Sequence, residues 1–352
     1  MAGHDIIVVG ASAGGVEALT HLVKNLPANI KAAIFIVLHV PAHGTSVLPR
    51  ILSRAGSLPV SHAQDGDAIV QGRIYVAPPN YHLLVKPGYL SLSRGATENS
   101  HRPAVDPLFR TAARIYGRRV VGVILTGVLD DGTAGLMAVK MRGGVAVVQH
   151  PDDAMYSGMP RSAIENVDNI DYILPLADIP STLVELAEIP VEEEVNNSVP
   201  DEMEYESDIV ELDMDAVENG NRPGEPSSFS CPSCGGTLWE IQDGDLLRFR
   251  CRTGHAFSSE SLLAEQSDAL EDALWSALRA LEEKSSLALR MAQLMRDRHY
   301  NLSAKRLEKD AHEAQKRAAV IRDVLSKKDG VVEGSFTSES ESQPIIYDLD
   351  DL

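Results

Sequence analysis

Residues 5–19, "DIIVVGASAGGVEAL", set an apolar, β-branched run against a cluster of small residues and then a helical pattern. A strand that runs through a glycine-rich turn into a helix serves two chemistries. It can cradle a phosphate on backbone N–H groups, or it can expose a reactive serine. The dinucleotide version reads G-x-G-x-x-G, and its second glycine lets the backbone approach a pyrophosphate with no side chain in the way. Ser12 stands at that position here. The stretch instead satisfies G-x-S-x-G from Gly10 to Gly14, in which a sharp turn exposes the serine hydroxyl. The N–H groups opening the next helix suit a developing oxyanion as well as a phosphate, and the motif alone also fits a plain glycine-rich turn with a capping serine.

Working outward, "AAIFIVLH", "GRIYVAP", "VVGVILTG" and "GGVAVVQ" repeat the apolar run, with helical segments such as "GVEALTHLVKNLP" between them. Continuous apolar strands alternating with helices predict an α/β fold, a doubly wound and mostly parallel sheet covered on both faces, from residue 5 to about 188. "HLLVKPGYLSLSR" departs from this pattern and reads as an antiparallel hairpin turning at Pro87-Gly88. A parallel sheet collects its functional loops at the carboxyl ends of its strands. His39 directly follows the second run, and Asp130 and Asp131 follow a later one in "VVGVILTGVLDDGTAGL". A nucleophilic serine needs a base and a group that orients the base, and these positions supply both. The chain order Ser, His, Asp, with the serine on the very first strand, separates the pattern from the α/β-hydrolases.

Several separate blocks now resemble one family: "VVGASAGGVEAL", "LHVPAHGTSVLPRIL", "GRIYVAPPNYHLLV", "SHRPAVDPLF", "GVILTGVLDDGTAGL" and "DDAMYSGMPRSAI". Together they look like the catalytic domain of the bacterial chemotaxis protein-glutamate methylesterases, the CheB family, over residues 5 to about 185. The resemblance implies Ser12 as nucleophile, His39 as general base and Asp131, which immediately precedes the glycine, as the orienting carboxylate. It implies an oxyanion held by the backbone N–H groups of Ala13 and Val128, and a site wall at His101 and Arg102, with Arg102 a candidate substrate-positioning group. The activity implied is hydrolysis of glutamate γ-methyl esters, and deamidation of glutamines, on a chemoreceptor or related signalling protein, with no cofactor for catalysis. Two departures bear on substrate fit: "TGVLDDG" replaces the commoner T-G-M-G-x-D-G, and Ala13 replaces a common threonine. CheB proteins usually carry an N-terminal receiver domain; only four residues precede the first strand here, so control of that kind is not expected within this chain.

Charge and composition bound the rest. Apolar residues make up 44% of the 352, enough for a sizeable core. No apolar run reaches the roughly 18 residues of a membrane span and no signal-type start is present, so the expectation is a cytoplasmic protein without direct membrane insertion. The net charge of -19 is uneven: residues 1–188 hold 15 Lys+Arg and 16 Asp+Glu, leaving -18 to the remainder. No basic stripe points to nucleic acid.

The division predicted is a catalytic domain over 1–190, an acidic linker over 191–228, a zinc-ribbon-like unit over 229–258, a helical hairpin over 259–328 and a disordered acidic tail over 329–352. The linker assignment rests on 12 Asp or Glu and no Lys or Arg in residues 192–218. The ribbon rests on Cys231 and Cys234 in C-x-x-C, Cys251 and His255 in C-x-x-x-H, and a hairpin between them turning at Asp-Gly, which together predict a structural zinc with a closed coordination sphere. The hairpin is open to dimerisation or to a partner helix. Against the esterase stands a catalytically silent scaffold that recruits partners through the second half; a nucleotide-binding regulator is disfavoured by Ser12.

Overall fold

The computed structural model describes residues 3–191, 199–212 and 224–327. The tail expected over 329–352 lies outside the described residues. Strand β1 (Ile6–Ala11) is the centre of a seven-stranded sheet with β2 (Ala33–Leu38), β3 (Val60–His62), β4 (Ile74–Val76), β7 (Val120–Ile124), β8 (Val145–Gln149) and β9 (Tyr172–Leu174), in the order β3-β4-β2-β1-β7-β8-β9. Every neighbouring pair is parallel. Alternate residues of a strand face opposite sides. Val8, Phe35 and Val37 accordingly pack with Leu108, Phe109 and Leu136 of α3 (Val105–Tyr116) and α4 (Thr133–Met141). Ile7, Val9, Ile34 and Ile36 pack on the other face with Leu19 and Leu22 of α1 (Gly15–Lys24) and Leu52 of α2 (Leu48–Ala55). Burial on both faces is why these strands read as unbroken apolar runs.

Because β2 lies on one side of β1 and β7 on the other, the direction in which strands are added reverses at β1. That is the topological switch point, where a crevice opens beyond the strand ends. The segment around Pro87 forms the expected hairpin, β5 (His82–Lys86) with β6 (Tyr89–Ser93), and Gly88 at its turn has φ 83°.

Residues 192–198 and 213–223 of the expected acidic linker lie outside the described residues, and residues 201–210 are helical where an extended chain was expected. Residues Asp201–Val210 form a helix, α7, with Met203, Ile209 and Val210 buried. Self-repulsion within the segment predicted an extended linker, but arginines from outside it cancel the charge: Arg114 reaches Asp208 at 2.8 Å, and Arg248 and Arg250 reach Glu206 at 2.8 and 3.1 Å. Glu206 and Glu98 share Arg250 and Arg110, all four side chains being 5% exposed or less. Burial opposes the charge of Glu206, yet these arginines hold its carboxyl well below the usual range. Stripping one partner from such a buried set costs about 3–5 kcal/mol. The four-stranded antiparallel sheet β10 (Glu225–Ser230), β11 (Thr237–Asp243), β12 (Leu246–Cys251) and β13 (Ala256–Ser258) is tied by Arg250 to the catalytic domain in this way.

Two long helices, α8 (Ser259–Asp297) and α9 (Asn301–Ser326), follow this sheet. The chain divides into compact units at Glu265/Gln266. In the second unit, Arg296–Glu308 and Arg322–Glu282 pairs join the two helices, and Ala288, Ala292, Ala304, Ala311 and Ala314 are buried. Along α8, Leu278 and Ala288 are buried while Leu270 is 63% exposed. Among the described residues no helix is long and apolar enough to cross a membrane.

Candidate active site

Three loops leave the carboxyl ends of adjacent strands: Ser12 after β1, His39 after β2 and Asp131 after β7. The parallel ladder continues past the strand ends, with Ser12 N–H donating to Thr126 O at 3.0 Å and His39 N–H to Ala11 O at 3.2 Å. Gly14, at φ 72°, turns the chain into α1, a conformation that favours glycine. Gly127 clears the space beneath the serine: a β-carbon there would lie 2.0 Å from Met159 Sδ and 3.0 Å from Ser12 Cβ.

The side chains form a line. His39 Nδ1 lies 3.1 Å from Ser12 Oγ, and His39 Nε2 lies 2.7 Å from Asp131 Oδ2. A carboxylate can only accept, so Nε2 carries the imidazole proton and Nδ1 is left to accept from the serine hydroxyl. The His39 and Asp131 side chains are 6% and 3% exposed, whereas Ser12 is only half-buried and open to a substrate. Asp131 also accepts from Val105 N–H at 2.6 Å, Asn99 Nδ2 at 3.0 Å and Asp106 N–H at 3.3 Å. Burial works to raise its pKa, but the hydrogen bond and charge of His39, then the Val105 N–H, outweigh it and keep the group ionised well below the usual carboxylate range. Asp106 is shifted the opposite way, well upward, by its own burial and then by the Asp131 charge.

The other predicted positions have distinct places. Among the described residues, neither Ala13 N–H nor Val128 N–H has a hydrogen-bond partner; Ala13 directly follows Ser12, and Val128 directly follows Gly127. His101 stacks on His39, ring centroids 3.6 Å apart, and burial followed by the nearby His39 charge pushes its pKa down to about 4. The Arg102 guanidinium donates to Asn80 Oδ1 at 2.6 Å and to the carbonyl of Gly95 at 2.7 Å, bracing the loop. Asp131, and not Asp130, faces the histidine.

The sequence profile of the CheB methylesterases matches residues 7–183. The chain belongs to the CheB methylesterase family. Residues 7–183 are its enzyme domain. The Thermotoga maritima CheB methylesterase catalytic domain, a crystal structure, is 37% identical with a TM-score of 0.51, covering 53% of this chain and all of that one. A Leptospira interrogans protein is 41% identical over 184 residues, 52% of this chain and 95% of its own length. A Pyrococcus abyssi protein-glutamate methylesterase/protein-glutamine glutaminase is 37% identical over 188 residues, so the chain spans about half, 50%, of that relative.

Beside the CheB domain stands chemistry that sequence patterns did not disclose. Ser258 Oγ, from β13, donates to Asp130 Oδ1 at 2.7 Å, and Ser258 N–H donates to Asn99 Oδ1 at 2.9 Å. Burial, with smaller contributions from Glu260 and Asp131, pushes Asp130 up to about 7 against the opposing Ser258 hydrogen bond. Its pKa is higher folded than unfolded, so the stability it contributes is complete below about pH 4 and is lost as pH rises through about 7. The unfolding midpoint of the wild-type chain is therefore expected to fall, relative to that of Asp130→Asn, between about pH 4 and pH 7. Parallel midpoint curves would contradict that assignment.

Cys231, Cys234, Cys251 and His255 also converge, their ligand atoms all within 4.8 Å of one another. Cys234 Sγ and Cys251 Sγ are 3.7 Å apart, and Cys251 Sγ lies 3.5 Å from His255 Nδ1. The edges of a tetrahedral zinc site with these ligands are about 3.5–3.8 Å, so the donor set fits.

Proposed function

We propose that this chain is a serine-type protein-glutamate methylesterase, with glutamine deamidation as a second reaction of the same site, acting in the cytoplasm on a chemoreceptor or related signalling protein. The observation that carries the reading is the Ser12–His39–Asp131 line at the carboxyl ends of three adjacent parallel strands, open at Ser12 and closed at Asp131.

His39 Nδ1 takes the hydroxyl proton as Ser12 Oγ attacks the γ-carbonyl of a methylated glutamate. Asp131 holds the ring in the tautomer that can accept and stabilises the imidazolium that forms. The Ala13 and Val128 N–H groups receive the tetrahedral oxyanion, and their freedom from internal partners suits them to it. The imidazolium returns its proton to the leaving methoxide, methanol departs, and water attacks the acyl-enzyme with the same base assisting. The products are a free glutamate side chain and Ser12. With a glutamine substrate ammonia leaves instead. Arg102 is assigned to bracing the loop, not to contacting substrate.

The test is release of labelled methanol from receptor membranes methylated with a radiolabelled methyl donor. Time-dependent release above the buffer control supports the reading. Its absence over a panel of receptors, with receptor binding intact, would favour the scaffold instead.

The zinc assigned to Cys231, Cys234, Cys251 and His255 has four protein ligands and so a structural part only. Elemental analysis of the purified chain should find about one zinc per molecule, and the Cys234→Ser/Cys251→Ser variant should retain less than about a tenth of that. Equal zinc in both would remove the assignment.

A further inference from the structure

Asn99 is used completely, and its two ends serve different parts of the molecule. Its Nδ2 donates to Asp131 Oδ1 at 3.0 Å and to Asp106 Oδ2 at 2.9 Å, inside the CheB domain. Its Oδ1 accepts from Ser258 N–H at 2.9 Å and Ser261 Oγ at 3.0 Å, from the appended sheet and the start of α8. The amide orientation follows from chemistry: Ser258 N–H can only donate, so the oxygen must face it. The backbone is equally engaged. Asn99 N–H donates to Ala256 O at 2.8 Å, Ala256 N–H donates to Thr97 O at 3.2 Å, and the Asn99 carbonyl accepts from His101 Nδ1, whose ring stacks on His39.

These bonds hold a conformation the chain would not adopt alone. Asn99 and Ser100 are consecutive non-glycine residues at φ 48° and 65°, a left-handed pair that surrounding structure has to enforce. Enforcement comes from β13, which pairs with residues 97–99 and follows directly from His255 of the Cys3His cluster. A second tie lies one residue earlier, where Glu98 receives Arg250 of β12 at 3.1 Å and Arg110 of α3 at 2.8 Å.

We propose that Asn99 is a positioning residue through which the appended Cys3His unit holds Asp131, and through it the His39 ring, in reacting geometry. The proposal rests on the serine-esterase reading and adds that, in this chain, esterase competence depends on a unit outside the residues matched by the family. The unit does not touch Ser12. It sets the loop of residues 97–101, and that loop supplies one carboxylate donor and the stacking partner of the base.

The test uses the full chain and p-nitrophenyl acetate as probe, with Asn99→Ala and Ser258→Ala/Ser261→Ala as variants. Asn99→Ala is expected to lower kcat about 10- to 100-fold with KM unchanged. The acid limb of its kcat profile should move to higher pH, because a carboxylate with one donor fewer holds a proton on the triad more tightly. The double serine variant, which leaves every CheB-domain residue in place, should lower kcat about tenfold in the same direction, with the unfolding midpoint recorded alongside. A folded Asn99→Ala or double serine variant with wild-type kcat and pH profile would overturn the proposal. Were either variant unfolded at assay temperature, Ser261→Ala alone decides on the same two readouts. Should intact chain and Ser12→Ala hydrolyse the probe equally, the esterase reading itself fails and this proposal falls with it.

Discussion

Replacing Ser12 by alanine is expected to lower methanol release by about six orders of magnitude, to the level left by binding and the oxyanion donors alone. The size follows from Ser12 being the bond-forming atom: without Oγ no acyl-enzyme exists, and His39 has no proton to take. Ser12 is half-buried and, among the described residues, its side-chain hydrogen bond is to His39 alone, so the variant should keep the wild-type unfolding midpoint. That combination separates loss of chemistry from loss of fold. A variant retaining more than about a hundredth of the wild-type rate would require another nucleophile.

Asp131→Asn carries the second largest effect, a fall in kcat of about four orders of magnitude. Asp131 receives four donors, from His39, Val105, Asn99 and Asp106, and donates to none. An asparagine amide would have to point its NH2 at one of these donors. Turned toward His39, it forces the ring into the tautomer with a proton on Nδ1, which cannot accept from Ser12. Turned the other way, it faces Asn99 Nδ2 and the Asp106 N–H and strains the loop instead. Asp106 adds a signature. Its proton is held by burial and by the Asp131 charge, so neutralising Asp131 lets Asp106 ionise more readily and reduces proton uptake on folding in mildly acidic buffer. A rate within tenfold of wild type would contradict the orienting role.

How much of this was legible beforehand depends on how local the signal is. Ile6–Ala11 declared itself because both its faces are buried, which leaves an unbroken apolar run. Ser12, His39 and Asp131 were legible because Ser12 and His39 directly follow their strands and Asp131 follows its strand by seven residues, and adjacent strand order then brings them together. Asn99 was not, since its partners lie 7, 32, 159 and 162 residues away and no periodicity connects them. The helix at residues 201–210 was hidden for a related reason. Composition within 192–218 shows repulsion, while the arginines that neutralise it at Glu206 and Asp208 lie at positions 110, 114, 248 and 250. The acceptors of Arg102, Asn80 and the Gly95 carbonyl, were equally hidden, because they belong to other loops.

Covalent trapping shows whether Ser12 is an activated nucleophile in a preformed relay. A fluorophosphonate probe transfers its phosphonyl group to an activated serine oxygen, fluoride leaves, and the hydroxyl proton passes to the base. Mass spectrometry of the labelled full chain is predicted to find a single adduct, on the peptide containing Ser12, absent from Ser12→Ala and strongly slowed in His39→Ala. An adduct on another residue, or no adduct from a chain that still releases methanol from methylated receptor, would contradict the account.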